Sequence, residues 1–267
     1  MSWFPWLAAY LAIGAVIGFL AGLLGIGGGL TLVPVLSALF AAQALSADHI
    51  VHMALATAMA SVVFTSSSSV LAHHRLGSVD WSIVRRIAPA MVAGSFIATV
   101  VSGWLPQRVL AIGFALVVYG GATQMLLGRK PAPGSGLPGT PALMAIGVVV
   151  GVICGLASAG GAFLTVPLML AWGVVLSRAI GTAAAIGVPV AVVGMVGHVI
   201  AGWAVPGLPP WSLGFIYLPA LAAVVAASVL TAPFGARLAH RMPVALLKRI
   251  FAVLLYALAT KMIVTYG

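Results

Sequence analysis

Glycine interrupts two long apolar stretches of this chain, and the two interruptions match. Gly18, Gly22, Leu23, Gly27, Gly28, Val33 and Pro34 recur at the same spacing as Gly151, Gly155, Leu156, Gly160, Gly161, Val166 and Pro167. A glycine run lets the backbone leave helical geometry without a side-chain clash. Inside a bilayer such a break is tolerated only where protein or a water-lined cavity satisfies the freed backbone groups. Paired breaks at corresponding positions of two halves point to the binding site of a secondary transporter.

Composition fixes the solvent. With 63% of residues hydrophobic and 5% charged, the chain cannot build a water-facing surface, so the expected class is an all-α polytopic membrane protein without a soluble domain. The apolar stretches run near 7–42, 49–73, 83–104, 108–127, 141–172, 179–202, 212–232 and 244–266. A single crossing needs about 20 residues, so 7–42 and 141–172, which carry the glycine runs, are too long for one. The first stretch lacks a basic start and reads as structure rather than as a removable signal peptide. The formal net charge of +10 comes from basic residues at helix ends and in loops, without the aromatic interleaving of a nucleic-acid groove, so nucleic acid is not an expected partner. Cys154 is the only cysteine, which excludes an internal disulfide, and its first-half counterpart is Ala21. Asp48 and Asp80, both in predicted loops, are the only carboxylic side chains. Cation transporters commonly bury Asp or Glu, so a cation substrate and a carboxylate proton relay are disfavoured.

The duplication covers nearly the whole chain. Ala54-Leu-Ala-Thr57-Ala58 through His73 parallels Ala179-Ile-Gly-Thr182-Ala183 through His198, and Pro106, Phe114, Tyr119 and Thr123 parallel Pro243, Phe251, Tyr256 and Thr260. Two transmembrane repeats, 1–127 and 141–267, are therefore expected, joined by a Pro/Gly-rich linker over 128–140. Arg75, Arg85 and Arg86 follow the His73 stretch, whereas the loop Trp203 to Trp211 after the His198 stretch is uncharged. Further on the bias reverses, with Arg108 against Arg237, Arg241, Lys248 and Arg249. By the positive-inside rule the repeats are inverted, with the linker and the Arg75 loop cytoplasmic. Each repeat is then a discontinuous or re-entrant glycine-broken segment followed by three spans, and both termini face outward. Trp81, Trp104, Trp172, Trp203 and Trp211 suit an interfacial belt.

A helix that restarts after a glycine run presents unpaired N–H groups and a positive dipole end, which together cradle an anion. The candidate substrate-binding residues are Gly27, Gly28, Gly29, Gly160 and Gly161, with Thr57, Ser158 and Thr182 as hydroxyl donors. The competing readings are close packing for the glycines and back-bonding to their own helix for the threonines. His198 is a candidate gating or proton-linked residue. Of the hydroxyl run Thr65 to Ser69, Ser66 and Ser67 are candidates for lining a pathway. Lys261 reads as a snorkelling anchor. No metal-ligand set, acidic dyad or nucleophile–base pair stands at useful spacing, so neither a metal, a cofactor nor an enzymatic activity is expected.

The two copies of Gly-x3-Gly-x2-(Gly or Ser)-x-Gly-Gly-(Gly or Ala)-x4-Pro, each followed by its Thr-Ala helix, resemble the sulfite exporter TauE/SafE family, also called the 4-toluene sulfonate uptake permeases. The second copy departs slightly, with Ser158-Ala-Gly-Gly-Ala162. The resemblance implies a multi-pass inner-membrane permease for small sulfur-containing anions such as sulfite or an organosulfonate, working by alternating access. The alternative is a passive channel or a transporter for another small anion. Partners implied are the anion, the lipid bilayer and a coupling ion, either a proton or sodium.

Overall fold

The computed structural model describes residues 4–24, 28–127, 136–239 and 244–267. They form a helical bundle in the order α1 (Phe4–Leu24), α2 (Gly29–Ala42), a short 3-10 turn (Ala47–His49), α3 (Ile50–Arg75), α4 (Trp81–Ser102), α5 (Gln107–Leu127), α6 (Thr140–Ala157), α7 (Ala162–Ala171) and α8 (Leu176–Gly202). A two-stranded hairpin, β1 (Ser212–Leu213) and β2 (Ile216–Tyr217), then precedes α9 (Leu218–Ala239) and α10 (Val244–Tyr266). Both over-long stretches divide at their glycines, the first between α1 and α2 and the second between α6 and α7. Five described helices, α1, α3, α4, α6 and α8, are long and apolar enough to cross a membrane. Residues 128–135 of the expected linker lie outside the described residues.

One apolar stretch departs from expectation. Residues 212–217 read as the start of a helix, yet they pair as an antiparallel hairpin with Ser212 opposite Tyr217 and Leu213 opposite Ile216. Gly214 takes the positive φ of 54° that a two-residue hairpin turn favours.

The earlier glycines of each motif serve packing. On α1, a Cβ added to Gly14 would fall 2.7 Å from the Val224 carbonyl oxygen, and one on Gly18 would fall 2.4 Å from Ser228 Cα, so α1 lies directly on α9. On α6, added Cβ atoms at Gly147 and Gly151 would meet Ala90 at 2.9 Å and the Met91 carbonyl oxygen at 2.2 Å, seating α6 on α4 in the same manner. Close backbone approach through small residues is how membrane helices associate without a hydrophobic driving force between them. α3 and α8 pack against each other in the centre, and α5 packs against α10.

Corresponding residues of the two halves exchange partners. Thr57 on α3, fully buried, accepts a hydrogen bond from the Tyr217 N–H at the head of α9 (3.1 Å). Thr182 on α8, equally buried, accepts one from the Asp80 N–H at the head of α4 (2.9 Å). Tyr119 on α5 bonds Thr260 on α10 (2.7 Å), and Thr123 bonds Tyr256 in return. Asp80 also caps α4, accepting from the Ser82 hydroxyl at 2.7 Å and from the N–H groups of Ser82 and Ile83. The Ser82 hydroxyl foremost, then those backbone donors and nearby Arg178, hold its carboxyl below the usual carboxylate range.

Gly151→Leu should separate α6 from α4 and abolish the monodisperse peak in detergent size-exclusion chromatography, since there is no space beside Met91. Thr182→Val strands a buried N–H and should cost about 1–3 kcal/mol, read as a lowered thermal midpoint. Asp80→Ala should cost about 1 kcal/mol as a lost N-cap. Because the Asp80 pKa is depressed on folding, that contribution is present above the ordinary carboxylate range and fades as pH falls through the folded value. A thermal-melt series against pH, wild type beside Asp80→Ala, checks it.

Candidate functional site

The two breaks meet. Gly28 takes φ 70° ahead of α2, and Gly160 and Gly161 take φ 62° and 89° ahead of α7, a region that L side chains rarely adopt. Each restart is pinned by a threonine: the Thr31 hydroxyl donates to the Gly28 carbonyl and the Thr165 hydroxyl to the Gly161 carbonyl, both at 2.8 Å. Gly29 lies so close to the end of α6 that an added Cβ would stand 2.2 Å from the Ser158 carbonyl oxygen. Val62 of α3 sits between the breaks, with its methyls 3.0 Å from the Cβ position of Gly29 and 2.4 Å from that of Gly160. On the far side, Gly187 of α8 touches the Gly160 carbonyl, and the Ser66 hydroxyl is 3.6 Å from the Gly187 Cβ position. The structure therefore brings together Gly28, Gly29, Ser158, Gly160, Gly161 and Ser66. Gly27 lies outside the described residues.

Ser158 stands out within this cluster. It is fully buried, it holds a left-handed φ of 50° at the end of α6, and its hydroxyl oxygen has no hydrogen-bond partner. Buried hydroxyls without partners are rare in native structures and call for an explanation. The N-terminal turns of α2 and α7 supply backbone donors, since the first N–H groups of a helix have no partner within it. Cys154, one turn before Ser158, is buried and its thiol is held by the Gly161 backbone, consistent with a packing role. Among the described residues, no ionisable side chain other than this thiol belongs to the cluster, so any charge preference there comes from backbone dipoles.

The remaining sequence candidates lie elsewhere. Thr57 and Thr182 are five residues from Val62 and Gly187 on their helices, about 7 Å along the axis. Their oxygens are engaged by the backbone N–H groups of Tyr217 and Asp80. Ser66 is buried, whereas Ser67 is exposed and donates back to the Val63 carbonyl at 2.6 Å, so these neighbours face opposite ways. His198 is buried near the far end of α8, with neither ring nitrogen partnered. Sequence reading missed Val62 and Gly187, which carry no chemistry of their own and matter only through their position between the breaks. Among the described residues, no group of three or more His, Cys, Asp or Glu side chains is placed to hold a metal ion.

Comparison with known proteins agrees with this architecture. The family model described as sulfite exporter TauE/SafE matches residues 10–262. A "probable membrane transporter protein" of Haemophilus influenzae is 36% identical over 260 residues, covering 97% of this chain and 98% of the relative. The "probable membrane transporter protein YdhB" of Bacillus subtilis is 25% identical over 241 residues, covering 87% and 90%. No solved structure matches. Paired glycine breaks in an apolar bundle, together with a family match that spans both of them, establish that the chain belongs to the sulfite exporter TauE/SafE family of membrane transporters.

Proposed function

We propose that the protein is a secondary transporter of a small sulfur-containing anion, sulfite or an organosulfonate, across the cell inner membrane by alternating access. The anion is held where the helix starts of α2 and α7 meet, by their free N–H groups and by the Ser158 hydroxyl. The observation that carries this reading is that hydroxyl, buried and unpartnered on a residue that stands three before Gly161 at the start of α7 and whose carbonyl lies against Gly29 at the start of α2. Helix N-termini recognise an oxyanion without a buried cation, which suits a core without carboxylates. The sulfur chemistry of the substrate rests on the family.

Inverted repeats supply the moving parts. The reading is supported by the reciprocal bonds Thr57–Tyr217 and Thr182–Asp80 and by the matched packing of α1 on α9 and α6 on α4. Gly147 and Gly155 meet Ile87 and Ala98 in turn, so α6 runs along α4. Trp172 beyond α7 packs against the cluster that holds Ile83 and Ile87 of α4, which supports α6 and α7 forming a re-entrant hairpin that returns to its own side. In the first half, Gln43 beyond α2 bonds Tyr10 near the start of α1, the same pattern from the opposite end. Exposed Arg75, Arg85, Arg86 and Arg178 share one end of the bundle and mark it as cytoplasmic. Thr57 and Thr182 act in this cycle as braces between the repeats. The protein needs no cofactor and performs no catalysis.

Ser158→Gly gives the decisive variant. It removes the hydroxyl while relieving the left-handed backbone and restoring the residue at Gly25, so the fold should keep or gain stability. Saturable thermal stabilisation of the wild type by sulfite, thiosulfate or sulfoacetate, with acetate and chloride as controls, should weaken about ten- to a hundredfold in apparent Kd in the variant, the loss expected for a hydrogen bond to a charged group. Unchanged affinity would remove Ser158 from the site. A flat wild-type response to every sulfur oxyanion would point to another anion.

A further inference from the structure

The two halves differ most at one loop. The connection from α3 to α4 covers residues 76–80, whereas its counterpart from α8 to α9 covers 203–217 and contains the β-hairpin. That hairpin inserts Phe215 into the bundle. Its side chain is 0% exposed, with its ring 4.9 Å from that of His52, stacked, and 5.7 Å from that of His49. The Phe215 N–H reaches the His198 carbonyl at 3.5 Å and the Tyr217 N–H donates to Thr57. Added Cβ atoms on Gly202 and Gly214 would each fall 2.4 Å from backbone atoms across the seam, at Phe215 N and the Val199 carbonyl oxygen, so the hairpin sits flush on α8.

The histidines around this insertion lack partners. His52 donates its Nε2–H to the Leu105 carbonyl at 3.1 Å, but its Nδ1, the His49 Nδ1 and both ring nitrogens of His198 are buried with none. Burying such groups unpartnered is unfavourable, and their occurrence together, with the rings of His49 and His52 against Phe215 and His198 bonded to it through its backbone carbonyl, needs a reason beyond packing. At the hairpin end, the other titratable or charged side chains described on elements packed about it are Asp48, Arg108, Tyr10 and Tyr217; His73, His74 and Arg75 of α3 and Arg178 of α8 lie at the opposite end, by Ser78 and Asp80. Asp48 and Arg108 are exposed, Tyr10 is bonded to Gln43, and the chain's other carboxylate, Asp80, caps α4 at the opposite end. Among the described residues, an imidazolium formed among these rings has no counter-charge beside it while Phe215 is seated.

We propose that His49, His52 and His198 form a proton-binding site that operates the 212–217 hairpin as a plug: seated when the rings are neutral, unseated when a proton from the solvent at that end binds one of them. A buried charge without a partner is strongly disfavoured, so proton binding and lifting of Phe215 are one event, and reseating returns the proton to solvent. The proton then gates access at that end, and only this last step rests on the transport cycle proposed above.

Amide hydrogen exchange of the unmodified protein tests the plug without any substrate, so its outcome is separate from that of the transport reading. After correction for intrinsic rates, protection at Phe215 and Tyr217 should fall at least tenfold between pH 8 and pH 5.5. Protection at Asp80, whose N–H is held by Thr182 at the other end, should stay constant. The His49→Gln/His52→Gln/His198→Gln variant should lose the pH dependence. Should that variant not fold, maleimide labelling of Phe215→Cys relative to exposed Leu213→Cys, each with Cys154→Ala, should rise over the same interval. Protection that ignores pH, an equal loss at Asp80, pH dependence that survives in the triple variant, or a labelling ratio that stays flat would each overturn the proposal.

Discussion

A backbone that leaves helical geometry inside a bilayer must find partners for the N–H and C=O groups it frees, and that requirement organises this molecule. Gly28, Gly160 and Gly161 take the left-handed turns, Thr31 and Thr165 secure the carbonyls at the two restarts, and the breaks abut each other between α3 and α8. Lipid could not serve these groups, so the rest of the bundle encloses them. The central pairing of α3 with α8 puts Val62 and Gly187 against the glycines, and the outer helices cover that pair.

Close approach comes from the same residue type used differently. Gly14, Gly18, Gly147 and Gly151 let α1 and α6 lie on α9 and α4, while the later glycines of each motif are spent on the turn. Close packing and the helix break thus occupy successive parts of one motif. Polar side chains divide in a comparable way. Thr57, Thr182, Tyr119 and Thr260 tie one half to the other, and where the bond is buried, as at Thr57, stranding the donor would cost about 1–3 kcal/mol. Ser158 is left unpaired at the junction.

Near-symmetry also makes the exceptions informative. The hairpin at 212–217 has no counterpart in the short α3–α4 connection, and it is the hairpin that meets the histidine cluster. One end of the bundle is closed by a helix cap, Asp80, and the other by an inserted aromatic ring. Two ends built so differently have different requirements for opening.

The sequence by itself determined the class, the position of both helix breaks and most helix boundaries, because apolar length and glycine runs are local properties that a bilayer converts directly into spans and interruptions. It did not reveal that Thr57 and Thr182 are braces, since their partners lie 160 and 102 residues away. Nor could it separate Ser66 from Ser67: adjacent hydroxyls on a helix differ only in the face that the neighbouring helices leave to each. The hairpin at 212–217 hid inside an apolar stretch because burial, not periodicity, selects its residues. The meeting of Gly29 with Ser158, and of Phe215 with the rings of His49 and His52, was decided by tertiary packing alone, since it takes contact between segments far apart in the chain.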